Sequence, residues 1–151
     1  MDEMKKYALA SVDANAEIYN KISDSIWDDP ELSLKEHHAA ALYCEALEKL
    51  GFTVEKGICG IETAFSGSYG AGRPVIGILG EFDALSGLSQ KCGETSLAHK
   101  ALNCAGKVIA SAAIELINDP ALLQKAKDEH AERAADGYVC PIEKDAVPIA
   151  I

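Results

Sequence analysis

Glu81 and Asp83 stand two residues apart just after the apolar run Val75-Ile76-Gly77-Ile78-Leu79. Alternate residues of a strand share a face, so this spacing can present two carboxylates together at a strand's carboxyl end, where α/β proteins gather their ligand sites. Such a pair can hold a divalent cation or orient a ligand. His99 follows, near the start of a long helical pattern. It could add an imidazole ligand, with Asp83 as a fellow ligand or as the acid that orients the ring. The plainer readings are two solvated acids on a loop and a histidine used for capping or packing. With one histidine near at hand, the constellation looks begun and incomplete.

Other chemistry-bearing residues add little. Cys92-Gly93-Glu94 has glutamate where a Cys-Gly-His metal segment would need histidine. His37 and His38, close to Ser33-Leu34-Lys35-Glu36, and His130, among Asp128, Glu129 and Glu132, read as solvated helix faces. Five cysteines without a Cys-x-x-Cys pair favour reduced thiols over a disulfide framework or a structural zinc site. Nucleophile elbows, phosphate loops and dinucleotide fingerprints are missing from the sequence.

The 151 residues suit one domain with a hydrophobic core, and 48% hydrophobic with 25% charged residues is an ordinary globular composition. A formal charge of -10 without a Lys/Arg cluster argues against a nucleic-acid partner. No run reaches membrane-spanning length, and the first residues do not read as a secretory signal, so the expected location is cytoplasmic, with no membrane partner.

The elements that must position Glu81, Asp83 and His99 follow from periodicity. Tyr19, Ile22 and Ile26 recur at helical spacing over 7–27, and Asp28-Asp29-Pro30 stops the pattern. Ser33 and Glu36 match a capping box for a second helix, whose stripe of Ala39, Tyr43, Leu47 and Leu50 ends at a C-capping Gly51. Residues 52–56, 62–69 and 75–79 read as three strands, the last suited to burial on both faces, and 80–94 as a loop. An Ala-rich helix over 97–117 precedes a last one to Arg133, opened by Asp119 as cap and Pro120 at its first position. The expected fold is α/β: a small mixed sheet of about three strands with about four helices.

Longer motifs carry a family likeness. Ile26-Trp27-Asp28-Asp29-Pro30-Glu31-Leu32, Leu47-Glu48-Lys49-Leu50-Gly51-Phe52, Thr63-Ala64-Phe65 and the stretch from Gly77 to Gln90 closely resemble the aminoacylase/carboxypeptidase family of zinc amidohydrolases, in its aminobenzoyl-glutamate hydrolase branch. Ala98-His99-Lys100-Ala101-Leu102, Ala105-Gly106-Lys107 and Tyr138-Val139-Cys140-Pro141-Ile142 look like the C-terminal end of the same family. The likeness covers nearly the whole chain as two ends joined.

The resemblance implies metal-dependent hydrolysis of an amide, such as that of aminobenzoyl-glutamate, by a two-metal site that activates water, with a small amide or dipeptide-like substrate and zinc or manganese as cofactor. By the same likeness Asp83 is the acid after the strand, Glu81 its neighbour, and His99 a late metal ligand. Between Gln90 and His99 the family's Cys-Gly-His segment, its paired glutamates and its inserted dimerisation domain have no counterpart. Catalytic zinc generally takes three protein ligands and an open position, which one histidine and two acids do not supply. The expectation is a partial catalytic domain over 1–136, with 1–90 joined to helices in 95–136 and an extended tail over 137–151. Hydrolysis is lost or severely impaired, and whether this chain keeps any metal is open. The alternative is a noncatalytic partner that forms a homo-oligomer or joins a full-length hydrolase.

Overall fold

The computed structural model describes residues 2–84, 95–137 and 139–142. Helix α1 (Glu3–Ala14) opens on Asp2, whose side chain accepts from the Met4 amide, and α2 (Ala16–Asp28) follows at once. The single helix expected over 7–27 is therefore two. Asn15 divides them: at φ -104° and ψ 5° it leaves the helical conformation, and its side-chain amide joins its backbone N–H in donating to the Ser11 carbonyl, at 2.8 and 3.1 Å.

Helix α3 (His37–Lys49) ends as its sequence demands. Gly51 takes φ of 87°, and the Phe52 and Gly51 amides return to the Leu47 and Glu48 carbonyls, each at 3.0 Å, closing a Schellman motif. The turn sends the chain back as β1 (Thr53–Lys56), which pairs antiparallel with β2 (Phe65–Ser68), Thr53 opposite Ser68 and Lys56 opposite Phe65. A Cβ on Gly67 would lie 3.0 Å from Leu47 Cδ1, so the absent side chain lets the hairpin lie close on α3.

Helix α4 (Ser96–Asn118) carries a Thr95 cap, and Asp119 caps α5 (Pro120–Arg133) by accepting from the Ala121 and Leu122 amides at 3.0 and 2.9 Å. Both boundaries agree with the sequence reading. Helix α4 lies along α1 and joins the two ends of the chain: Lys107 pairs with Asp13 at 2.5 Å, Lys5 pairs with Glu115, and Asn118 donates to Asp2 at 2.6 Å.

The class is α/β with a small sheet, accompanied by five α-helices among the described residues. The sheet is smaller than expected, with two antiparallel strands among the described residues. Residues 75–79, expected as a strand buried on both faces, belong to no ladder, and Val75, Ile78 and Leu79 are 79, 67 and 91% exposed. A strand covered on both sides needs neighbours to accept its backbone hydrogen bonds, and no described segment lies in position to do so. One parallel bridge, Leu32 to Ala84, holds the chain just beyond. The core is correspondingly thin: among the described residues Ala39 and Cys44 are the fully enclosed apolar ones, with Glu36 and Thr63 the enclosed polar ones.

Candidate functional site

The segment bearing Glu81 and Asp83 is placed by the side chain between them. Phe82 packs on Tyr43 of α3 and Phe65 of β2, with ring centroids 5.4 and 5.7 Å away. Burial among these rings pushes the Tyr43 phenol above its ordinary value. Beyond Phe82 the Ala84 amide donates to the Glu31 carbonyl at 2.7 Å. The two acids thus flank an aromatic anchor, and both line a groove of about 1020 Å³ between α2, α3, α4 and residues 78–84. Trp27, Ile26, Leu47 and Leu102 give this groove an apolar wall, while Glu31, Glu81 and Asp83 supply acidity at one side.

Glu31 does more than line the groove. Its two carboxylate oxygens accept from the His38 and Ala39 amides, each at 2.9 Å, at the start of α3. Burial pushes this carboxyl upward, but the amide bonds and the neighbouring His38 outweigh it and hold the group below the ordinary glutamate range. The expected capping box of Ser33 and Glu36 is not used. Glu36 turns inward, accepting from Thr63 Oγ1 and the Leu34 amide, each at 2.8 Å, and Leu34 takes φ of 67° to let it do so. An acid from the preceding turn caps α3 instead, where the helix dipole favours a negative charge.

His37 and His130 are exposed on their helices, as the sequence suggests, whereas His38 is half-buried, its Nε2 3.1 Å from Ser25 Oγ. His99 Nε2 lies 2.7 Å from Asp24 Oδ1 of α2, so the acid that orients the ring is Asp24 and not Asp83. One turn further along α4, Asn103 donates to the His99 carbonyl at 2.9 Å and to Asn20 Oδ1 at 3.2 Å; its own Oδ1 is buried without a partner. Sequence reading passed over Glu31, Asp24 and Asn103. A hint existed for Glu31 in its position before a helix start, but the other two partnerships cross between helices distant in sequence.

Among the described residues no three His, Cys, Asp or Glu side chains come together in a group able to hold a metal ion. These donors do not fit a catalytic zinc site, which needs three. Cys92 lies outside the described residues. Cys44, Cys59, Cys104 and Cys140 are free thiols, and burial first of all raises Cys44 above the ordinary thiol value. No described helix is long and apolar enough to cross a membrane.

Comparison with known proteins bears out the likeness to aminobenzoyl-glutamate hydrolases read from the sequence motifs. The chain is similar to a p-aminobenzoyl-glutamate hydrolase subunit of Escherichia coli strain K12, at 43% identity over 93 residues. The match takes in 62% of this chain and 19% of that protein, so the chain spans well under half the length of its curated relative. No family profile matches the chain.

Proposed function

We propose that this chain is an internally deleted relative of the aminobenzoyl-glutamate hydrolases, a partial catalytic domain over 1–136 with a tail over 137–151, and that amide hydrolysis is lost or severely impaired in it. The observation that carries this reading is the donor set: Glu81 and Asp83 line the groove, while His99 is bonded to Asp24. In this reading Asp83 and Glu81 are the acidic rim of a site whose other parts are missing, and His99 is a metal ligand separated from its fellows. The 19% coverage of the relative supports it. A cytoplasmic location goes with it.

The test is direct. Purified chain supplied with zinc or manganese is incubated with aminobenzoyl-glutamate, and release of aminobenzoate is followed beside metal content. No turnover above background is expected. Two bound metal ions together with unaided hydrolysis would sink the proposal.

A second reading, a noncatalytic subunit that joins a complete hydrolase, is favoured by the exposed Val75, Ile78 and Leu79 and by the groove that the last two line. Co-purification of the chain with the full-length relative separates it from the first reading, and activity that appears only on mixing would mark a site completed in trans.

A further inference from the structure

The segment that carries Glu81 and Asp83 has two holds on the rest of the chain. One is the packing of Phe82 against Tyr43 and Phe65. The other is polar. Among the described residues, the hydrogen bond that ties residues 73–84 to another part of the chain runs from the Ala84 amide to the Glu31 carbonyl, at 2.7 Å, within the parallel bridge of Ala84 to Leu32.

The acceptor of that bond needs a hold of its own. Residues 29–36 link α2 to α3, and apart from the bridge at Leu32 they belong to neither helix nor sheet. What fixes Glu31 is its side chain, whose two oxygens accept from the His38 and Ala39 amides at 2.9 Å each. Paired bonds from helix N-terminal amides to an ionised carboxylate are strong and directional, so they set where the Glu31 main chain lies. Glu31 is therefore joined through its carboxylate to α3 and through its carbonyl to the segment bearing the two acids.

We propose that Glu31 is a charge-dependent latch: while its carboxylate is ionised and seated on α3 it holds Ala84, and with it Asp83 and Glu81, at the edge of the groove, and on protonation it releases that end of the segment. Glu31 is thus a positioning residue for the acidic side of the groove, acting through Ala84. The latch operates whether or not the chain hydrolyses amides, and its test reads structure and not activity.

The charges around Glu31 bear on its titration. His37 and His38 stand at the start of α3, Asp28 and Asp29 at the end of α2, Glu36 in the same link, and Glu81 and Asp83 on the segment itself. Burial raises the Glu31 carboxyl, but the bonds from the Ala39 and His38 amides and the charge of His38 outweigh it, so the folded group lies below the ordinary glutamate value. The latch is then fully closed above that ordinary value and opens as pH falls through the lower one.

NMR of the full, isotopically labelled chain reads the latch at three amides. Lowering the pH is expected to move the His38, Ala39 and Ala84 amide resonances together, with one midpoint below the ordinary glutamate value. The Gly57 amide, bonded to the Ala64 carbonyl at 2.8 Å between the two strands, should stay in place. Asp83 precedes Ala84 and can move its resonance by itself, so the titration is repeated in Asp83→Asn, where the shared midpoint should persist. In Glu31→Gln, which keeps the side chain's size and loses its charge, the shared titration should vanish. Ala84 should then exchange its amide hydrogen about tenfold faster at neutral pH, the worth of one charge-assisted hydrogen bond, with Gly57 exchange unchanged. Ala84 unmoved where His38 and Ala39 titrate, an Ala84 midpoint that disappears with Asp83→Asn, or Ala84 exchange indifferent to Glu31→Gln would each overturn the proposal. If Glu31→Gln does not fold, the Asp83→Asn titration decides alone.

Discussion

Two stretches of this chain, 31–69 and 73–80, are both rich in strand and helix formers, yet one is bound into structure and the other is not. In the first, each orphan group finds a local answer. Glu31 takes the α3 amides, Gly51 closes the far end of that helix, and β1 has β2 a few residues away. The second has hydrophobicity without a described backbone partner, and Val75, Ile78 and Leu79 stay largely exposed. The difference teaches that apolar character decides whether a segment seeks burial, but only partners for its backbone decide whether it becomes a strand.

The largest test of this contrast is Phe82→Ala. Phe82 fastens the segment after residue 80 to Tyr43 and Phe65, and truncation of a packed aromatic costs about 3 kcal/mol. Urea unfolding is expected to show that loss, and the Tyr43 phenol should return toward its ordinary value as the ring cluster opens. A change below about 0.5 kcal/mol, the range of an uninvolved surface position, would mean that the acids are not held from this anchor.

Glu31→Ala comes next. It removes a charged acceptor from two helix amides, and caps and charge-assisted bonds of this type are each worth on the order of 1–2 kcal/mol. About 2 kcal/mol of stability is expected to go, read by thermal or urea melts. Acid should mimic it. Because the folded carboxyl is held below its unfolded value, its contribution is present in full above the unfolded glutamate range and disappears as pH falls through the lower folded value. In Glu31→Ala that part of the acid dependence should be missing.

Local rules read from the sequence served well where the partner is near in the chain. The Gly51 stop, the Asp119–Pro120 start and the stripe through Ala39, Tyr43 and Leu47 all depend on residues within a turn or two of each other. Capping of α3 departs from the box that Ser33 and Glu36 spell by their spacing, because Thr63, a distant residue, draws Glu36 inward. The third strand is absent for a related reason: residues 75–79 carry the pattern of a central strand, but that pattern does not show whether flanking strands exist. At the candidate site the two acids were legible from their spacing, but Asp24 as the partner of His99 was not, since α2 and α4 meet only in three dimensions.

Asp24→Asn sharpens this last point with a smaller effect. The His99–Asp24 pair is partly exposed, so its removal is expected to cost about 1 kcal/mol or less, read by urea unfolding beside His99→Gln. If the two residues act as a pair, the double variant should lose less than the sum of the single losses. Strict additivity would show that the contact contributes nothing between α2 and α4.

Leu79→Ser is expected to have the smallest effect on stability and is the sharpest probe of the unpartnered stretch. A side chain 91% exposed has little burial to lose, so the melting transition at low protein concentration should stay within about 0.5 kcal/mol of the parent chain. The same change in a buried strand would cost several times as much. Stability that falls by about 2 kcal/mol even in dilute solution would show that residues 75–79 are covered within the single chain, and the contrast between the two stretches would be lost. Unchanged dilute stability, with a reduced tendency to associate as concentration rises, would locate the missing partner of this segment outside the chain itself.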